Sequence, residues 1–270
     1  MAEVLYAPNR EHAVTTNAWA FLHWLRTTRG VDLADWAALQ RWSTERAEEF
    51  RAAVAAFARL PEEPLALVRR TGQGEALVLR RADGTRVGLG WEQVARICPS
   101  PLLEALPFDV AAPLTRLWLP ALLIRPLAEL LLHADLRPDD RLLVVGSSWP
   151  WLAALLERTT VLLAAPPDVL ATAAEERATV LVAPAQTLAE AAFQRRGPRP
   201  DLAYLRTIIA TGGPLSPEGR MRIYTWVKSD VMLLARSGDT LWGNPLEPVL
   251  TRPPATPAFL TPPASAPAPR

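Results

Sequence analysis

Five short, continuously apolar runs recur along the second half of the chain: LLVVG (142–146), VLLAA (161–165), TVLVAP (179–184), TIIATG (207–212) and VMLLA (231–235). Each has the length of a strand and lacks the polar alternation of a strand with one wet face. Between them stand WLAALLER, DVLATAAEER, LAEAAFQRR and PEGRMRIYTWV, whose apolar residues recur at helical spacing. Strands apolar throughout must be covered on both sides, and helices that alternate with strands provide the cover. The pattern predicts an α/β fold with a mostly parallel sheet and flanking helices.

The first 62 residues read as a helical N-terminal region. NAWAFLHWLRTTRG places Trp19, Leu22, His23 and Leu25 near one face and stops at Gly30; a second start at Asp32 or Asp35 runs to Pro61. The tryptophans of these helices (Trp19, Trp24, Trp36, Trp42) are read as core packing. ALVLRRADGTRVGL (76–89) is a hairpin signal, because Asp83-Gly84 tolerates the positive φ of a tight turn. EQVARI then reads as helical, Pro99 to Pro113 as a proline-punctuated stretch, and LAELLLHADL as a further helix. We divide the chain into residues 1–62 (helical), 63–251 (α/β) and 252–270, a Pro/Ala-rich tail without periodicity that is expected to be disordered.

Composition removes several function classes. A net charge of +1 gives no bulk reason to expect nucleic acid or an anionic membrane. One cysteine, Cys98, excludes an internal disulfide framework, and His12, His23 and His133 have no second ligand at metal spacing, so no metal site is expected. LWLPALLIRPLAELLLH (117–133) is too short and too interrupted to span a bilayer, and the first residues lack a secretory pattern, so the expected location is the cytoplasm. The 29 basic residues include a single lysine, Lys228. Arginine does not replace lysine where a compact charge is required.

Three strings carry a resemblance. LLLHADLRPDDRLLVV, PRPDLAYLRTIIATGGPLSPEGRMRIYTWVKSDVMLLARSGDT and GNPLEPV are similar to consecutive pieces of the acetoacetyl-CoA synthetases, within the adenylate-forming superfamily of acyl-CoA synthetases. The resemblance implies part of that superfamily's N-terminal domain. It also implies a chemistry in which a carboxylate attacks the α-phosphate of ATP and CoA displaces AMP. Backbone amides and a cation must stabilise the phosphates as the bond breaks. The family does this with a loop of the form SSGTTGLPK.

That loop should lie just before LHADL, where this chain has FDVAAPLTRLWLPALLIRPLAELL. Phe108, Asp109 and Pro113 match the family's lead-in to the loop, and Leu130 to Leu136 match its continuation beyond the loop. The interior, by contrast, has no glycine, no lysine and one threonine, Thr115. Glycine lets a backbone approach a phosphate closely, so a chain without it there has no family-style grip.

Other sites implied by the resemblance are partial. Thr211, Gly212, Gly213 and Pro214 match the family's loop beneath the adenine. Ser237-Gly238-Asp239-Thr240 stands where the family has SGGTD, so Asp239 and Thr240 are vestigial nucleotide-site residues with their order exchanged. Trp149 and Trp151 resemble the family's acyl-pocket pair GWMMW, with Pro150 between them. Lys228 falls in VKSDV, where the family has a helix end, and is not the adenylation lysine of the family's C-terminal subdomain.

From these residues we expect a degenerate, truncated relative that neither adenylates nor forms a thioester, with no catalytic residue. Weak AMP or ATP binding with magnesium is the most that the surviving motifs allow. The rival expectation is an AMP-forming acetoacetate or short-chain acid–CoA ligase, active when a partner chain supplies the missing parts. Self-association or a protein partner is expected in either case.

Overall fold

A computed structural model describes residues 2–59, 66–68, 75–80, 86–90, 116–118, 124, 126–145, 160–164, 168–193, 200–237 and 240–252. Its centre is a six-stranded sheet, ordered β11-β10-β9-β8-β6-β7. The strands are β6 (Arg141–Val145), β7 (Thr160–Ala164), β8 (Val180–Pro184), β9 (Thr207–Thr211), β10 (Met232–Ser237) and β11 (Thr240–Trp242). The first five are parallel, and β11 returns antiparallel to β10. These five are the apolar runs of the sequence, so the α/β expectation holds.

The chain passes from β6 outward to β7 and then back across to β8. Strand order therefore reverses around β6. In open parallel sheets ligands bind beyond the strands' carboxyl ends near such a reversal, and this points to the end of the sheet where a site belongs.

Alternation along the strands divides the core into two layers. Leu142, Val144, Val182, Ile209 and Leu234 face one cluster. Leu143, Leu181, Ile208, Ala210 and Leu233 face the other. The second cluster is covered by α5 (Val169–Glu175), α6 (Ala185–Phe193) and α7 (Pro217–Arg222), which continues as a π-helical turn at Ile223–Val227. The first is covered by a helix entering a π-helical turn at Glu129–His133, and beyond it by the N-terminal helices.

Those helices are α1 (Arg10–Ala13), α2 (Asn17–Trp24), α3 (Trp36–Glu45) and α4 (Ala47–Phe57). Their boundaries follow local chemistry. Gly30 ends the turn after α2 in the left-handed region, at φ 68°. The Asp35 carboxylate caps α3 by accepting from the Ala38 amide at 2.8 Å. The buried face differs from the one expected: Ala18, Phe21 and Leu25 point inward while Trp19 is 47% exposed. The four tryptophans therefore divide. Trp36 is buried, Trp24 and Trp42 pack at the cluster's margin, and Trp19 faces solvent. Apolar side chains occupy more than one face of this helix, so spacing alone does not fix its phase.

Phe21 anchors this layer, fully buried and edge-on to Phe50 and Phe57 with centroids 6.2 and 5.1 Å away. Phe21→Ala is expected to cost about 3–5 kcal/mol, measured by urea unfolding, because the packed rings around it cannot collapse into the space. Trp19→Ser on the same helix should cost less than about 0.5 kcal/mol.

Three two-stranded ladders complete the described backbone. β3 (Glu75–Arg80) pairs with β4 (Arg86–Gly90) as the hairpin signal predicts; its Asp83-Gly84 turn lies outside the described residues. β2 (Ala66–Val68) pairs antiparallel with β5 (Arg116–Trp118). β1 (Val4–Tyr6) pairs with β12 (Val249–Leu250), and Glu3 and Thr251 extend that ladder through backbone and side chain. β1, β2, β5, β11 and β12 are not legible in the sequence; each is two or three residues long, below the length at which a period can be read.

Candidate functional site at the carboxyl edge of the sheet

The amino edge of the sheet is built by the string LHADLRPDD. Asp135, 1% exposed and at φ 50°, accepts the Asn17 amide at 2.8 Å and the Arg137 guanidinium at 2.6 Å. Arg206, at the start of β9, reaches Asp140 at 2.6 Å and Asp135 at 3.4 Å. These charges stitch the start of α2 to the sheet. A cleft of about 400 Å³ opens beside them, lined in part by Tyr6, His12, Arg206, Lys228 and Asp230. Lys228 is engaged there structurally, its ammonium donating to the carbonyls of Leu202 and Ala203 at 3.1 and 2.9 Å. Of the lining groups, Asp135, Arg206 and Lys228 are engaged in the packing of the amino edge.

The other end of the sheet has a different character. Thr211 closes β9 and stands in register between Pro184 of β8 and Arg236 of β10. Gly212 and Gly213 follow at φ 81° and 134°, conformations that side chains rarely adopt. Among the described residues a β-carbon at either position would meet nothing within 4 Å, so toward them the loop presents open backbone. The Gly213 amide donates to the Arg236 carbonyl at 3.0 Å, fastening the loop to β10. Pro214 is exposed, Leu215 turns into the core, and the Ser216 hydroxyl caps α7 by accepting from the Gly219 amide at 3.1 Å.

Two contacts bolt the Glu129–His133 turn to the β10–β11 side of the sheet, one near the carboxyl edge and one further in. Arg236 donates to the Glu129 carboxylate at 2.5 Å, with side chains 10% and 3% exposed. His133 lies against Trp36 edge-on, and its Nδ1 is 2.8 Å from the Gly243 carbonyl. A carbonyl accepts only, so Nδ1 carries the proton. Burial holds the His133 pKa down at about 4, with the carbonyl hydrogen bond opposing the shift.

The consequence for stability has a definite sign. An unfolded histidine titrates at 6.5, so between that pH and about 4 the unfolded chain binds the extra proton. Stability from this residue is complete above 6.5 and falls by about 3 kcal/mol as pH drops to 4. Urea unfolding at pH 7.5 and 5.0 should show the loss, and His133→Asn, which keeps a donor for Gly243, should reduce it.

Of the residues that the sequence points to, the structure places Thr211, Gly212, Gly213 and Pro214 together at the carboxyl edge. Thr240 begins β11, its backbone in register with Ser237 of β10. Asp239, Trp149 and Trp151 lie outside the described residues, as do most of 108–123, the EQVARI and WLAALLER segments, Cys98 and the tail beyond Arg252. Sequence reasoning does not reach the Glu129–Arg236 pair at this edge, nor the His133–Gly243 contact further in. A lone acid in the apolar run LAELLLH and a lone base ending VMLLAR are the available signals, since each charge needs a partner when its element is buried.

No family model matches the chain. A segment of 149 residues is 36% identical to the acetoacetyl-coenzyme A synthetase of Rhizobium meliloti (strain 1021), covering 47% of this chain and 23% of that enzyme. In three dimensions the chain superposes on acetoacetyl-CoA synthetase from Streptomyces lividans with a TM-score of 0.61 at 15% identity, covering 92% of this chain and 67% of that one. The likeness is to acetoacetyl-CoA synthetase. Sequence similarity to acetoacetyl-CoA synthetase and the shared fold both bear out the resemblance read from the three strings. The aligned part spans about a quarter of the length of that curated relative.

Among the described residues no three His, Cys, Asp or Glu side chains cluster as a metal site. Within the same residues no helix is long and apolar enough to cross a membrane.

Proposed function

We propose that this chain is a non-ligating relative of acetoacetyl-CoA synthetase, a scaffold that neither adenylates a carboxylate nor forms a CoA thioester. One observation carries the reading: between Phe108 and Leu130 there is no glycine and no lysine. A triphosphate is held by amides that approach it closely and by a cation among them. Part of this segment, β5, has its backbone in a ladder with β2, which supports the reading because alternate amides of such a ladder are engaged by the partner strand.

The open glycines at 212 and 213 support a weak purine-binding role for the carboxyl edge, since backbone can lie against a flat base without a charged group. Magnesium enters only with a polyphosphate and has no further part in this reading. ATP–pyrophosphate exchange with acetoacetate and other short acids tests the proposal; exchange clearly above a protein-free blank would overturn it. The rival reading, a ligase completed by a partner chain, is favoured by the retained TGGP loop and predicts exchange that appears when that partner is added.

A further inference from the structure

We infer that the Glu129–Arg236 ion pair sets the ligand class of the carboxyl edge: it commits the guanidinium at the end of β10 internally, so the edge accepts an uncharged purine nucleoside and gains nothing from an attached phosphate. This rests on reading Thr211–Pro214 as a purine platform. Arg236 is tied to that platform, since it is in register with Thr211 and its carbonyl holds the Gly213 amide at 3.0 Å. It also immediately precedes Ser237-Gly238-Asp239-Thr240, the text similar to the family's SGGTD. These contacts with the platform are made by its backbone; a guanidinium released from its partner and turned to the edge would suit two-pronged recognition of a phosphate.

The geometry directs it elsewhere. Side-chain alternation puts Arg236 on the same face of β10 as Met232 and Leu234, toward the Glu129–His133 turn. There it meets the Glu129 carboxylate at 2.5 Å in a nearly dry setting. A phosphate arriving at the edge would face a cation already neutralised and a fixed negative charge behind it. In a buried setting that repulsion is weakly screened.

Glu129→Gln keeps shape and removes the charge. Calorimetric titration of the full chain with adenosine, AMP and inorganic pyrophosphate compares wild type, Glu129→Gln and Glu129→Gln/Arg236→Gln. Wild type should bind adenosine and AMP equally and give no heat with pyrophosphate. Glu129→Gln should bind AMP about tenfold more tightly than adenosine and acquire pyrophosphate binding, both lost in the double variant. An unchanged AMP-to-adenosine ratio in Glu129→Gln, or the absence of pyrophosphate binding by that variant, overturns the inference. So does a wild-type preference for AMP of about tenfold or more, a measurement that needs no variant to fold. If adenosine binds neither protein while pyrophosphate binding still appears in Glu129→Gln, the purine platform is wrong and the role of the ion pair stands.

Discussion

Given acetoacetate, ATP, magnesium and labelled pyrophosphate, this protein should exchange label no faster than buffer. The expected deficit is large. Removing a single preorganised donor from a site that stabilises developing charge costs about 10²–10³ in rate. A family phosphate loop supplies several donors and a lysine, and Phe108 to Leu130 offers neither glycine nor lysine to replace them. Losses of this kind compound, so a residual rate of even about one part in 10⁴ of a competent synthetase would require another group to hold the triphosphate. Replacing the interior of that segment by SSGTTGLPK is the complementary measurement. A gain of exchange would locate the defect in the loop, and persistent silence would place further losses elsewhere on the edge.

The second large effect concerns stability. Arg236→Leu should destabilise the protein by about 3–5 kcal/mol, because it leaves the Glu129 carboxylate buried without its guanidinium. Glu129→Leu/Arg236→Leu should recover much of the loss, since an apolar pair dispenses with both charges and both desolvation costs. Equilibrium urea unfolding of wild type, both single variants and the double variant yields the coupling energy directly. A loss below about 1 kcal/mol for Arg236→Leu would mean the pair is wet and loosely held, contrary to side-chain exposures of 10% and 3%. Surface pairs such as Arg222–Glu218, with exposures of 36% and 67%, should show less than about 1 kcal/mol by the same cycle.

How far the sequence reached can be judged from particular residues. The apolar runs at β6, β8, β9 and β10 were legible because a strand covered on both faces must be apolar at every position. The Ser216 cap and the Gly30 stop were legible because each satisfies or releases backbone within a few residues. The phase of α2 was not, since Trp19 and Phe21 are both large and apolar, and only the neighbouring rings of Phe50 and Phe57 decide which is enclosed. The short ladders β1–β12 and β2–β5 join residues far apart in the chain and leave no periodic trace.

At the candidate site the same division holds. The amino acids alone determined that a parallel α/β sheet forms, that TGGP follows one of its strands, and that no glycine or lysine is available where a phosphate loop would stand. These are matters of local spacing and of which side chains exist. Tertiary structure decided that Arg236 meets Glu129, that His133 meets Gly243, and that LHADLRPDD builds the amino edge while the open glycines lie at the other end of the same strands. Those pairings depend on which elements fold against each other across more than a hundred residues, and a charge reveals its partner only when the chain has brought both into the same dry place.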